Sequence, residues 1–199
     1  CVRACREVQV NDVIGMAYRG HGAKIVFDFD DPMGDSTCVA CGECLQACPT
    51  GALMESSLLD ENQTRVNYPD EQVESVCPYC GVGCQITYNL KDGKLLFVDG
   101  KEGPANRNRL CVKGRFGFDY VHHEHRLTVP LIRKDGVPKN AHEDVDPANP
   151  FNHFREATWE EALDRAADGI RRIREEHGPK GLAGFGSAKG SNEEAYLVQ

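Results

Sequence analysis

Ten cysteines carry the clearest chemical signal in this chain of 199 residues, and all of them lie within the first 111 positions. Cys38, Cys41, Cys44 and Cys48 follow the spacing C-x2-C-x2-C-x3-C, with Pro49 directly after them. This spacing lets one loop bind three corners of a [4Fe-4S] cluster while the fourth cysteine binds a second cluster. Zinc sites more often use two separated CxxC pairs, and disulfides are rare at this spacing. The run therefore predicts iron–sulfur chemistry.

A second pair repeats the end of that run, because Cys1-x3-Cys5 has the spacing of Cys44-x3-Cys48. Swapped ligation would then assign one cluster to four cysteines: Cys5, Cys38, Cys41 and Cys44. The other cluster would use Cys48, Cys1 and two cysteines expected before residue 1. We expect the chain to be a piece of a longer protein, since it begins without Met and ends inside a predicted helix. An export signal therefore cannot be judged from it.

A third set consists of Cys77, Cys80 and Cys84 in the loop CPYCGVGC, with the distant Cys111 in LCVKG. Three thiolates from a tight loop and one remote thiolate can hold a third [4Fe-4S] cluster. The glycines keep the loop small and leave amides free to bond the cluster sulfurs. A four-thiolate zinc site is the alternative.

The composition separates a cysteine-rich region from an ordinary globular one. The net charge of −8 excludes a strongly basic nucleic-acid surface, and no run of eighteen apolar residues predicts a membrane span. We expect an α+β or α/β chain with four parts: a two-cluster module at 1–56, a linker at 57–69, a small β-rich cluster domain at 70–126, and the start of an α/β domain at 127–199.

The hydrophobic pattern predicts several elements. Strands are expected in 25–31 and 126–133, and QITYNLKDGKLLFVDG at 85–100 predicts a hairpin turning at Asp92-Gly93. Residues 134–153 are typical of a surface loop. Thr158-x-x-Glu161 predicts the start of a helix that Gly178 ends.

A buried strand is predicted at 181–186, followed by a helix capped by Ser191. The glycines between these elements do not follow the dinucleotide-binding spacing, so they are weak evidence for a phosphate site.

Two further features stay open on spacing alone. Lys113 follows Cys111 by two residues, and it is either a solvated surface lysine or a cation between a cluster and a neighbouring redox group. The histidines of HHEHR at 122–126 offer too few ligands on one side for a metal site, so a loop edge is the expected reading.

Four segments together resemble the molybdopterin-dependent oxidoreductases: CPYCGVGCQ, RLCVKGRFGFDYVHHEHRLTVPLIR, FREATWEEAL and GSAKGSNEEAYLVQ. Within that family the chain is most similar to catalytic (alpha) subunits of formate dehydrogenases, of the cytoplasmic NAD-linked type. The resemblance covers essentially the whole chain.

The resemblance implies a Mo- or W-bis(molybdopterin guanine dinucleotide) centre that oxidises formate to CO2, with three [4Fe-4S] clusters in the complete protein. The cluster of the third set would be the first electron acceptor. Lys113 would lie between that cluster and a pterin, and four residues would lie beside the cofactor: Gly186, Ser187, Ala188 and Lys189. The metal ligand, a cysteine or selenocysteine, would lie beyond Gln199. The implied partners are flavin and iron–sulfur subunits that form NADH, in a hetero-oligomer without nucleic acid or a membrane span.

Three alternatives remain. The chain could belong to another molybdoenzyme, such as a nitrate or other oxyanion reductase. It could be a non-catalytic iron–sulfur subunit of the NADH dehydrogenase type. The third is a stand-alone electron carrier or a zinc-structured interaction module.

Overall fold

The structure, a computed structural model, describes residues 1–139 and 145–198. Contacts divide these residues into two compact units, one containing residues 1–119 and 187–197 and the other containing residues 120–186 with Val198. Among the described residues, no helix is both long enough and apolar enough to cross a membrane.

The first unit begins with a π-helical turn, Ala4–Val8, and a two-stranded antiparallel ribbon of β1 (Ile14–Ala17) and β2 (Lys24–Phe27). The strand expected at 25–31 therefore ends at Phe27, because the chain turns there and Asp28 adopts a φ of 46°. The short helix α1 (Glu43–Gln46) follows Gly42. A small core holds this part together, formed by Cys5, Val13, Ile14 and Cys44.

A three-stranded antiparallel sheet completes most of the unit, with β3 (Glu71–Val76), β4 (Gln85–Lys91) and β5 (Lys94–Gly100) in that order. The predicted hairpin is confirmed: Asp92 and Gly93 both have positive φ, as a tight turn between twisted strands requires. Strand β3 escaped prediction because all six of its residues are exposed. Helix α2 (Val112–Phe116) follows, over a core of Cys77, Ile86, Val98 and Leu110.

The segment 57–69, expected to be a linker, packs against the sheet. Leu58 is only 3% exposed, and the Ser57 hydroxyl donates to the carbonyl of Leu96 in β5 at 2.6 Å. The Asn67 amide donates to the Ser57 carbonyl at 2.9 Å. The segment thus belongs to the same compact unit as the residues on both sides of it.

The second unit pairs β6 (Leu131–Arg133) with β7 (Phe154–Glu156), and α3 (Trp159–His177) follows. The strand expected at 126–133 begins only at Leu131. Part of the loop expected at 134–153, residues 140–144, lies outside the described residues. The capping prediction is confirmed, since Thr158 Oγ1 accepts the N–H of Glu161 at 3.1 Å.

The buried strand predicted at 181–186 is wrong. These residues are exposed, and a 3-10 turn at Pro179–Gly181 leads into irregular chain. An apolar run becomes a strand only when a neighbouring strand accepts its backbone hydrogen bonds, and none of the described strands pairs with it. The helix expected after Ser191 is present as α4 (Asn192–Val198), with Ser191 and Glu194 bonded reciprocally.

Candidate iron–sulfur centre

Four thiols of the first unit line one cavity of about 480 Å³: Cys5, Cys38, Cys41 and Cys44. These are the four cysteines that the swapped-ligation prediction assigns to a single cluster. Cys48, the fourth cysteine of the local run, is not among the residues that line the cavity. The fold therefore groups a cysteine from far upstream with three from the loop.

The loop around these thiols is shaped by local backbone geometry. Gly42 has a φ of 74°, which lets the chain turn from the loop into α1. The amide of Ala40 donates to Cys38 Sγ at 3.4 Å, and Asn11 Nδ2 lies 3.8 Å from Cys41 Sγ. N–H groups aimed at sulfur stabilise the thiolate form that cluster binding needs.

Burial has the opposite effect on the cysteines at the back of the cavity. It raises the pKa of the Cys41 and Cys44 thiols, and the neighbouring thiols raise each pKa further. Metal clusters bind thiolates, so loading this cavity must release protons. In a loaded site, the iron ions of the cluster would take the place of these protons on the sulfurs.

Cys48 lies in a different environment. Its Sγ accepts the N–H of Leu53 at 3.4 Å and lies 3.6 Å from the Thr50 hydroxyl. Hydrogen bonds from Leu53 and then Thr50 lower the pKa of the Cys48 thiol to about 7. Cys1 and Leu53 both pack against the core that contains Cys5. Cys1 thus borders this core directly, and Cys48 is hydrogen-bonded to Leu53, which borders it as well.

The third set of cysteines is brought together around the sheet. The Cys77 amide donates to the Cys84 carbonyl at 2.8 Å, which closes the CPYCGVGC loop. Burial is the main reason that the pKa values of the Cys77 and Cys84 thiols are raised, and nearby Cys80 and Cys111 raise them further. Cys80 and Cys111 are exposed. Cys77 and Cys84 therefore lie within electrostatic reach of each other and of the two exposed cysteines.

Asn106 fixes the path from the hairpin to Cys111. Its side chain is 7% exposed, and its Nδ2 donates to three carbonyls, those of Gln85, Lys101 and Arg109. Its Oδ1 accepts the N–H of Gln85 at 3.0 Å. A buried amide that bonds four backbone groups holds the loop in one conformation. The remote cysteine is thereby delivered to the CPYCGVGC loop.

The arrangement suits clusters better than single ions. All ten cysteines are free thiols, so the disulfide alternative is not adopted. Among the described residues, no three His, Cys, Asp or Glu side chains converge on a position for one metal ion. A zinc ion holds its thiolates about 2.3 Å away, whereas the cavity shared by Cys5, Cys38, Cys41 and Cys44 has a volume of about 480 Å³.

Comparison with known proteins assigns these segments. Residues 1–52 match the 4Fe-4S dicluster domain, residues 70–123 match the molybdopterin oxidoreductase Fe4S4 domain, and residues 126–199 match molybdopterin oxidoreductase. All residues from 70 onward, except 124 and 125, thus match one of two molybdopterin oxidoreductase domains. This part of the chain belongs to the molybdopterin oxidoreductase family.

Individual members of the family are similar along the whole chain. A protein named "Putative formate dehydrogenase" from Staphylococcus haemolyticus is 32% identical, and one of the same name from Staphylococcus aureus is also 32% identical. "Probable oxidoreductase YjgC" of Bacillus subtilis is 35% identical. In each case all of this chain is covered, but it spans only 22% of the relative. The family domains indicate [4Fe-4S] clusters and a molybdopterin cofactor.

In the molybdopterin oxidoreductase part, the segment 186–189 has one clear contact. The Ala188 carbonyl accepts the N–H of Gly81 at 3.0 Å, and a Cβ on Gly81 would stand 2.8 Å from the Gly190 carbonyl. Ser187, Ala188 and Lys189 are exposed, and Gly186 belongs to the second unit. Only a glycine at position 81 allows the cluster loop to approach this segment so closely.

Lys113 is exposed on α2, on the turn that begins at Cys111. Its assignment to the cluster–pterin gap stays a prediction. The histidines of the 122–126 segment form no metal group among the described residues, and the rings of His123 and His125 lie edge to face at 4.9 Å.

Sequence reasoning missed the most deeply buried charges of the site. Arg115 and Glu43 have side chains that are 1% and 7% exposed, and Arg115 Nη2 lies 2.9 Å from Glu43 Oε1. Each residue looks like a surface charge on a short helix in the sequence. Their burial is recognised only from their pairing in the structure, which joins residues 72 positions apart in the sequence.

Proposed function

We propose that this chain is part of a formate dehydrogenase catalytic subunit, in which it holds the clusters that carry electrons away from the active centre. The observation that carries the proposal is the hydrogen bond from Gly81 to Ala188. It joins the loop of the third cysteine set to the segment 186–189, which we propose lines the molybdopterin cofactor. Formate as the substrate is supported by the names of the relatives from Staphylococcus.

The residues present fit the iron–sulfur clusters on their own chemistry. Four thiols share a cavity large enough for a cluster, and four more gather around the CPYCGVGC loop. When bound, the Mo- or W-bis(molybdopterin guanine dinucleotide) would take two electrons from formate, leaving CO2 and a proton.

The roles of this chain are binding, orientation and insulation. The thiolates of Cys77, Cys80, Cys84 and Cys111 would hold the first cluster to be reduced. Lys113 would place a cation between that cluster and a pterin, since it stands two residues beyond a proposed ligand on an exposed turn of α2. Burial of the sulfurs and hydrogen bonds to them would set each reduction potential.

Onward transfer would use the two-cluster module at the start of the chain. One of its clusters would rest on the four thiols of the shared cavity and the other on Cys1, Cys48 and two further cysteines. We propose that flavin and iron–sulfur partner subunits in the cytoplasm receive the electrons and reduce NAD, in a hetero-oligomer.

The direct test uses the full-length gene product purified without oxygen. We expect formate-dependent reduction of a viologen dye, together with iron and Mo or W in the preparation. NAD reduction should require the copurified partner subunits. Bound Mo or W without formate activity would indicate that the enzyme acts on another substrate of the same family, such as an oxyanion. Iron without Mo or W in a cofactor-competent host would contradict the catalytic assignment.

A variant pair tests the electron path. Cys80→Ala should remove one cluster and abolish formate-dependent dye reduction, while Val82→Ala serves as the control because Val82 is exposed in the same loop. Full turnover in Cys80→Ala would contradict the assigned path.

Lys113→Gln should retain its iron content and lose most of the formate-dependent turnover. Undiminished turnover would instead indicate that Lys113 is a surface lysine.

A further inference from the structure

A buried ion pair stands between two of the cysteine sets. Arg115 lies on α2, four residues after Cys111, and its side chain is 1% exposed. Its partner Glu43 lies on α1 between Cys41 and Cys44, and its side chain is 7% exposed. Two opposite charges removed from water together are costly unless their hydrogen bonds are well satisfied.

The bonds of Arg115 are nearly complete. Its Nε donates to the Cys41 carbonyl at 3.2 Å, its Nη2 to Glu43 Oε1 at 2.9 Å, and its Nη1 to the Val98 carbonyl at 3.2 Å. The Gln46 amide oxygen and the Asp99 carboxylate accept further bonds from Nη1. This planar set of donors is specific to arginine, because a lysine ammonium has three donors at a single point.

Two hydrogen-bonded bridges result, and each begins and ends beside a predicted cluster ligand. In the first, the Arg115 amide donates to the Cys111 carbonyl at 3.1 Å and the guanidinium of the same residue donates to the Cys41 carbonyl. In the second, Leu110, the neighbour of Cys111, donates its N–H to Glu43 Oε1 at 3.1 Å, and Glu43 directly precedes Cys44. One arginine side chain and one helical turn therefore span the distance between the two cysteine sets.

The surroundings leave this pair little freedom to move. A Cβ on Gly42 would stand 2.8 Å from Arg115 Cγ, so the loop of the shared cavity is in contact with the arginine. Gln46 also binds Gly100 through both atoms of its amide, which ties α1 to the end of β5. The pair is thus held from the loop, the helix and the sheet at once.

We propose that Arg115 and Glu43 are positioning residues that hold the Cys5/Cys38/Cys41/Cys44 cluster and the Cys77/Cys80/Cys84/Cys111 cluster at one fixed separation for electron exchange. The exchange is a one-electron step, in which one cluster is oxidised and the other reduced, with no proton or bond transferred at either residue. The inference rests on the cluster assignment and does not depend on formate as the substrate.

The test uses the full-length gene product reduced with dithionite, so that formate activity plays no part. Two neighbouring reduced clusters should give an electron paramagnetic resonance spectrum split by their spin–spin interaction. Arg115→Lys, which keeps the charge and loses the planar donors, should keep its iron and sulfide content and lose much of the splitting. Arg171→Lys is the matched control, because Arg171 pairs with Asp168 at 2.6 Å on an exposed helix face.

Glu43→Gln is the second variant, since glutamine can still accept bonds from Leu110 and Arg115. It removes a buried negative charge beside both cysteine sets. At a fixed potential near the midpoint potential of the cluster, Glu43→Gln should raise the ratio of reduced to oxidised cluster about tenfold. This corresponds to a rise in the midpoint potential of about 59 mV, because one electron is transferred.

The outcomes separate clearly. If Glu43→Gln keeps its iron, the parent splitting and the parent potentials, the pair only fills space and the proposal is overturned. Loss of iron from Glu43→Gln would also overturn it, since the pair would then be required only for folding. If Arg115→Lys keeps its iron and the parent splitting, the arginine does not set the separation and the proposal is overturned. If Arg115→Lys does not fold, Glu43→Gln decides. A split parent spectrum without formate turnover would contradict the proposed substrate and leave this inference standing.

Discussion

Replacing Gly42 by alanine should loosen the contact between the cysteine loop and Arg115. Gly42 has a φ of +74°, and an added Cβ would meet Arg115 Cγ and Nε at 2.8 Å. The left-handed conformation costs an alanine about 1–2 kcal/mol. Overpacking costs about 1–3 kcal/mol more, because the arginine is 1% exposed and held by hydrogen bonds that prevent it from moving aside. The expected loss is therefore about 2–5 kcal/mol.

Gly93→Ala is the matched control. Gly93 has a φ of +72° with no atom within 4 Å of the added Cβ, so only the backbone cost of about 1–2 kcal/mol applies. The difference between the two variants isolates the contact with Arg115.

Hydrogen exchange in the full-length protein measures both effects locally. At about tenfold per 1.4 kcal/mol, Gly42→Ala should accelerate exchange of the amides in 110–116 by about 30- to 4,000-fold. Gly93→Ala should accelerate exchange by about 5- to 30-fold, and only in the hairpin at 85–100. Equal acceleration of 110–116 in the two variants would refute the contact as the cause.

Two further predictions follow from the caps and the thiols. Thr158→Ala should destabilise the first turn of α3 by about 0.5–2 kcal/mol, which is measured as faster hydrogen exchange of the amides in that turn. Thr128→Ala is the control, because Thr128 is exposed. Unchanged exchange in Thr158→Ala would contradict the role of the cap. Burial raises the pKa of four thiols, those of Cys41, Cys44, Cys77 and Cys84. Protonated thiols therefore stabilise the cluster-free fold below a pH of about 8.5, and this contribution is lost as the pH rises through the raised values. As the pH rises above that value, the urea midpoint of unfolding should decrease for cluster-free protein and stay unchanged for cluster-loaded protein. The same pH dependence of the midpoint in both forms would contradict the assignment of these thiols as cluster ligands.

Much of the local structure could be predicted because it depends on neighbours in the chain. Asp92-Gly93 predicts its hairpin from turn chemistry, and Thr158 and Ser191 predict their helices from capping. Predictions failed where a segment depends on partners distant in sequence. The exposed strand β3 forms because β4 accepts it, and 181–186 remains irregular because no described strand does.

The cysteine spacing by itself determined that the chain builds clusters, since ligand identity and spacing constrain the metal chemistry before any fold exists. It also indicated the grouping of Cys5 with the 38–44 run. Tertiary structure alone decided what lies between the cysteine sets. Arg115 and Glu43 are charged residues on short helices, and nothing local distinguishes them from surface groups. Their burial depends on helices and a sheet that approach from distant parts of the sequence, and a buried charge is tolerated only where that approach supplies its partners.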